Sequence, residues 1–214
     1  MAVDIGEMLD RLLTEGAHHF DDTHDYRLTM IPAGRVSLPT GHVVACDPLS
    51  GPGETPPFTV TVPPGRYPLR AWVAVACPAS YHGVESDRRT AALQLVVRDE
   101  PVATWEPARP ARTGPSFVDE DGFFAYPADC GTATLADRQA LAALRAWPYE
   151  RVERTYLPEP SPPAPAALDA VTDRATGANV VTVCTGPDDG GYATFVGRTA
   201  DGEVASFVTD FRVL

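Results

Sequence analysis

From Tyr26 onward, no apolar stretch of this chain runs far before proline or glycine cuts it. "HVVAC", "FTVTV", "RAWVAVA" and "TAALQLVV" are each closed by a turn signal such as "DPLSGPG", "VPPG" or "RDEP". Connections this short suit antiparallel hairpins, because a parallel pair needs a crossover of a dozen residues or more. The runs also differ in how they must be covered. "AWVAVA" is apolar at every position and calls for cover on both faces, whereas "FTVTV" alternates and should turn one face to water. These patterns imply a mainly β fold of the α+β kind: an antiparallel sheet sandwich or partly open barrel, with an N-terminal helix and one further helix packed on it.

The first helix is read from "DIGEMLDRLLTEG". Ile5, Met8, Leu9, Leu12 and Leu13 fall on one stripe, Asp4 and Glu7 have the spacing of a capping box, and Gly16 can adopt the left-handed backbone that follows a helix. The second helix is expected at "TLADRQALAALRAWP", with Thr134 as its cap, Asp137 in its first turn and Pro148 as its stop. "LPEPSPPAP" has five prolines in nine residues and reads as an extended surface loop over residues 157–167. The segment beyond that loop is too short to hold a core of its own, so residues 1–214 are expected to form one domain. Near the C-terminus, "TADGE" joins two strand patterns at Asp201-Gly202, a hairpin signal.

Charge narrows the partners. The 29 acidic residues outnumber 17 basic ones, all arginine, and the net charge is -12. Binding to nucleic acid or to an anionic membrane needs a basic face, and no run of arginines supplies one. A basic protein partner or a small molecule fits the balance better. No leader-like start and no apolar run of 18 residues is present, so a cytoplasmic location is expected. Cys46, Cys77, Cys130 and Cys184 lie far apart without a CxxC pair and read as small core residues of a reducing compartment.

The chemistry-bearing residues are aspartates beside turn residues. Asp47 in "ACDP", Asp129 in "PADCGT", Asp188 and Asp189 in "GPDDGG", and Asp210 in "TDF" can converge on a metal or divide acid and base roles. Each can equally accept backbone N–H bonds and set a turn. "DEDG" at Asp119 to Gly122 is a fragment of a calcium loop without the remaining ligand spacing. The run "AHHFDDTHDY" holds His18, His19 and His24 among Asp21, Asp22 and Asp25, and is expected to be a solvated loop that, with the first helix, makes residues 1–25 a variable prefix. Cys77, Ser80 and His82 in "CPASYHG" read as a strand end and loop rather than a nucleophile with its base. No metal and no cofactor is expected.

Taken in order, "LPTGHVVACDPL", "VPPGRYPL", "WEPA", "GFFAYPADCGTATLAD" and "TGPDDGGYATFVGRTADGEVASFVTDF" resemble the bacterial family called domain of unknown function 4241, from about Gly34 to the C-terminus. The resemblance implies a Gly-Asp-Gly-x-Tyr core, matched here by Asp189, Gly190 and Tyr192 with Asp188 in place of a glycine. It also implies Val-Asp-Ala-Gly-Thr where this chain has Ala128-Asp129-Cys130-Gly131-Thr132, so Cys130 stands at an alanine position. It brings no activity, substrate or cofactor. The expectation is a noncatalytic binding or interaction module of a regulatory or immunity-like kind. The alternative is a hydrolase or metal-dependent enzyme using clustered aspartates. The residues singled out for binding or turn formation are Asp47, Asp129, Asp189, Gly190, Tyr192 and Asp210.

Overall fold

Two antiparallel sheets of unequal size face one another in the computed structural model, which describes residues 4–50, 54–80, 84–112, 117–119, 121–185 and 190–214. The chain opens with α1 (Ile5–Leu12), then β1 (His18–Phe20), β2 (His24–Leu38), β3 (Val43–Cys46), β4 (Gly65–Pro78), β5 (Asp87–Val96) and β6 (Thr104–Pro107). It continues through β7 (Phe117–Val118), β8 (Phe124–Ala128), β9 (Thr132–Asp137), α2 (Arg138–Leu144) and α3 (Tyr149–Tyr156). It closes with β10 (Leu168–Asp173), β11 (Ala178–Cys184), β12 (Gly190–Arg198) and β13 (Val204–Asp210). The larger sheet runs β1-β2-β4-β5-β13-β12-β8-β7, with β6 also paired to β12, and curls into a half-barrel. The smaller one runs β10-β11-β9-β3.

The two-residue period of the strands sorts side chains into two apolar layers. Leu69 and Ala71 of β4, Val196 of β12 and Phe207 of β13 point toward the smaller sheet, where they join Val43, Leu135 and Val181. Their neighbours Trp72, Ala74, Phe195 and Val208 point the other way and meet Leu9 and Leu12 of α1. Every residue from Ala71 to Ala76 is buried, as its all-apolar run required. Leu141, Leu144 and Tyr156, from α2 and α3, join the first layer, with α2 lying on β9, β10 and β11. The order of layers is therefore α1, large sheet, small sheet, α2 with α3.

Where the local signals prevail, the elements obey them. Asp4 Oδ1 accepts the Glu7 N–H at 3.1 Å, and Gly16 has φ +74° just past the helix. Gly202, with φ +83°, turns β12 into β13, and its N–H bonds the Thr199 carbonyl at 3.0 Å.

Four expectations give way to tertiary contacts. The "AHHFDDTHDY" run is not a loop: His18–Phe20 pairs with Asp25–Arg27 as a hairpin. Asp21 makes the turn, accepting from the backbone N–H groups of Thr23 and His24, from the Thr23 hydroxyl and from the Tyr26 phenol. Thr134 caps nothing. It is buried inside β9, where its hydroxyl donates to the Val181 carbonyl at 2.6 Å, and the cap is Asp137, whose carboxylate accepts the Gln139 N–H at 2.8 Å. "TATLAD" is strand because β3 and β11 pair with it from both sides and bury all six residues. Helix α3 begins directly after Pro148, since proline is tolerated where a helix starts even while it ends the one before. Finally, "FTVTV" does turn Thr59 and Thr61 to water as its alternation required, but it is no strand: it makes only the isolated bridges Phe58↔Pro110 and His42↔Thr61, its flanking prolines leaving no continuous ladder.

Candidate functional site

The residues singled out in the sequence lie mainly at a corner where the chain changes sheets twice. β8 belongs to the large sheet and β9 to the small one; β11 belongs to the small sheet and β12 to the large one. Ala128 pairs with Gly190 and Thr132 with Cys184, so the two crossings begin and end side by side. Gly131 turns the first crossing with φ +64°, and its carbonyl accepts the Thr185 N–H at 2.9 Å. Asp188 and Asp189 lie outside the described residues. Gly190 packs under its own motif: a Cβ there would stand 3.0 Å from the Tyr192 ring. Tyr192 is buried and meets Tyr126 edge-on at 6.2 Å and Phe211 at 5.1 Å between ring centroids.

Asp47 braces this corner from the end of β3. It is 2% exposed, and its carboxylate takes four hydrogen bonds. Oδ1 accepts from the Leu49 N–H at 2.9 Å and the Thr132 hydroxyl at 2.6 Å; Oδ2 accepts from the Cys130 N–H at 2.8 Å and the Ser50 hydroxyl at 3.1 Å. A carboxylate has about four acceptor positions, and all of them are filled by the protein itself. Asp47 therefore ties the loop after β3 to the first crossing and has no lone pair left for a ligand. The sequence marked the aspartate, but not Thr132 or Ser50: the Thr132 bond spans 85 positions, and the Ser50 bond gains its meaning only from that crossing.

The other aspartates are dispersed. Asp129 is exposed at the turn one residue past β8. Asp210 ends β13, half-buried, and accepts the Arg212 N–H at 2.8 Å. Thr209 pairs with Thr194 and Ala125 with Ala193, so Asp210 lies level with Ala125 two strands away. Asp129 is four residues further along, so the two backbone positions are roughly 16 Å apart along the sheet at about 3.3 Å per residue and about 4.8 Å per strand. Asp119 accepts the N–H groups of Asp121 and Phe123, and Arg212 pairs with Asp119 and Asp121 from the C-terminus. Among the described residues, no three His, Cys, Asp or Glu side chains gather as a metal would require. His82, the histidine nearest Cys77 and Ser80 in sequence, lies outside the described residues.

Two cavities border these residues. One, of 210 Å³, opens beside the corner between Cys130, Thr132, Thr182 and Cys184, rimmed by the proline-rich segment from Pro158 to Ala166. That segment has neither helix nor strand, and the Pro165 carbonyl accepts the Cys184 N–H at 3.0 Å. The other cavity, of 320 Å³, lies between α1 and the end of β13 and is lined by Asp4, Glu7, Arg11, His19, Asp210 and Leu214 among others. Burial pushes the Asp210 carboxyl up to about 6, reinforced by Asp121 and Asp119 and opposed by Arg212. Burial and the Arg11 guanidinium lower the His19 imidazole, whose Nε2 is buried without a hydrogen-bond partner.

The family described as "Protein of unknown function (DUF4241)" matches residues 36–209. The chain belongs to this family. No curated protein and no solved structure matches it. The match separates the two cavities. The corner, with Asp47, Asp129, Gly190 and Tyr192, lies within the DUF4241 segment, as does the whole lining of the 210 Å³ cavity. Every residue lining the Asp210 cavity lies outside that segment. Among the described residues, no helix is long and apolar enough to cross a membrane.

Proposed function

We propose that this DUF4241 protein is a noncatalytic binding or interaction module, of a regulatory or immunity-like kind, that meets a basic protein partner in the bacterial cytoplasm. The observation that carries the reading is the state of Asp47, whose four acceptor positions are all taken by protein donors. The wide separation of Asp129 and Asp210 supports it, since a shared cation would need oxygens at about 2.0–2.6 Å from one ion. A net charge of -12 favours a basic partner through steering. Four cysteines, none bonded to another, suit a reducing compartment.

The test pairs a search for turnover with a search for binding. Wild type is incubated with chromogenic carboxylic and phosphoric esters, with and without Mg²⁺, Mn²⁺, Ca²⁺ or Zn²⁺, and titrated with an oligo-arginine peptide at rising salt. The expected result is no turnover, no metal-dependent rise in Tm, and peptide binding that weakens with salt. Turnover that Asp129→Asn or Asp210→Asn abolishes would overturn the reading.

One observation favours a second reading, a hydrolase. Asp210, with its carboxyl near 6, shares a cavity with His19 and Arg11, and such a group can exchange protons close to neutral pH. A bell-shaped pH profile with a limb near pH 6 that disappears in Asp210→Asn would mark it.

A further inference from the structure

A cavity of 510 Å³ lies on the far side of the small sheet, between β3, the first turns of α2, and the segments around Thr55 and Arg112. Its floor is apolar: Val44 and Leu141 are fully buried, and Pro57 lies beside them. Its charged lining consists of two guanidiniums, Arg112 and Arg138, and it includes no carboxylate. In a chain with 29 acidic residues that composition is against the grain. Arg112 and Arg138, like several other arginines of the chain, have no ion pair among the described residues, whereas Arg70, Arg88, Arg89, Arg98, Arg198 and Arg212 face carboxylate partners. Glu54 is exposed and does not line the cavity, and Asp137 is fully buried with its oxygens held by Thr40 and Gln139. The Thr40 hydroxyl is likewise engaged, donating to Asp137, and Gln139 Nε2 spends one of its two N–H groups on Asp173, which leaves the Thr55 hydroxyl, the other Gln139 N–H and the two arginines to meet a ligand.

We infer that this cavity binds a small organic anion, a carboxylate or phosphate on an apolar body, with Arg112 and Arg138 holding the anionic group and Val44, Pro57 and Leu141 receiving the body. Two planar guanidiniums from separate elements match the forked geometry of such groups, and a volume of 510 Å³ falls within the range of ordinary small-molecule sites. All nine lining residues fall inside the DUF4241 segment, unlike those of the Asp210 cavity. The inference goes beyond the binding reading above, adding a small-molecule site to a module whose proposed partner is a basic protein. The two arginines were invisible as a pair in the sequence, where distant segments carry them.

The experiment titrates the full chain with phenyl phosphate, benzoate, inorganic phosphate and benzylamine by calorimetry and by thermal melting. Phenyl phosphate or benzoate is expected to bind and raise Tm, inorganic phosphate to bind more weakly for want of an apolar body, and benzylamine not to bind. Which of the first two binds tighter distinguishes a phosphate from a carboxylate ligand. The double variant Arg112→Gln/Arg138→Gln removes two exposed side chains and should fold; its affinity should drop roughly tenfold or more, as loss of charge-assisted bonds predicts. Arg145→Gln changes charge at the end of the same helix, outside the cavity, and should bind like wild type. The inference is overturned if no anion binds wild type, if the double variant binds as tightly, or if Arg145→Gln weakens binding equally. Such a result leaves the binding reading in place, because that reading is decided by the turnover and oligo-arginine measurements.

Discussion

Replacing Asp47 tests whether the corner is a structural brace. Asp47→Ala strands the Cys130 and Leu49 N–H groups and the Thr132 hydroxyl, all at buried or half-buried positions; the Ser50 hydroxyl is exposed and turns to water. At about 1–3 kcal/mol for each buried polar group left unpaired, and with Thr132 free to rotate, the two backbone donors alone should cost about 2–6 kcal/mol. That is a large share of the roughly 5–15 kcal/mol that holds an ordinary domain together. Asp47→Asn keeps an acceptor at the Oδ1 position for Leu49 and Thr132 but sets an NH₂ against the Cys130 N–H. Its cost should fall between zero and that of alanine, about 1–3 kcal/mol. The assay is urea unfolding at neutral pH followed by tryptophan fluorescence and by circular dichroism, with the slope against denaturant checked for constancy. A loss below about 1 kcal/mol for Asp47→Ala with an unchanged slope would refute the argument. So would an Asn variant less stable than the Ala variant.

Two further outcomes rest on the same geometry. Gly41 has φ +68°, and a Cβ there would sit 1.9 Å from the Val62 carbonyl oxygen, so Gly41→Ala should lower stability by about 2 kcal/mol or more, read as a drop in Tm; a variant melting like wild type would contradict this packing. Asp210 has its carboxyl raised to about 6, above its unfolded value, so its ionisation costs native stability in full above about pH 6 and costs nothing below about pH 4. Its contribution thus falls as pH rises from about 4 to about 6, and Asp210→Asn, which can still accept the Arg212 N–H, should melt higher than wild type at about pH 7.5 and show no gain at about pH 4. Equal gains at both pH values would contradict the ionisation argument.

Local patterns were legible wherever one element could be judged by itself. The stripe of Leu9 and Leu12, the all-apolar run Ala71–Ala76 and the Asp201-Gly202 turn each say what the chain does over a few residues, and each does so in the fold. Thr134 and the "FTVTV" run show where such reasoning stops. Both have the local look of one element, and each is decided by a partner: Thr134 by β3 and β11 on either side, "FTVTV" by the lack of a strand to pair with. The His18–Phe20 segment is the converse case, a polar run made into strand by the neighbouring β2.

For the site the division is sharper. The sequence by itself determined that "ADCGT" and "GPDDGGY" are turn-rich segments between strands, and that Asp47 sits at a strand end. Only the tertiary structure decided that β8 and β9, and likewise β11 and β12, belong to different sheets whose ends meet at the same corner, and that Asp47 spends its four acceptor positions bracing it. It also decided that two arginines from distant segments line one cavity in an acidic chain. The physical reason is common to all three. A two-residue period tells which way a side chain points from its own strand, but the sheet that strand joins is chosen by hydrogen bonds and burial between residues far apart in sequence.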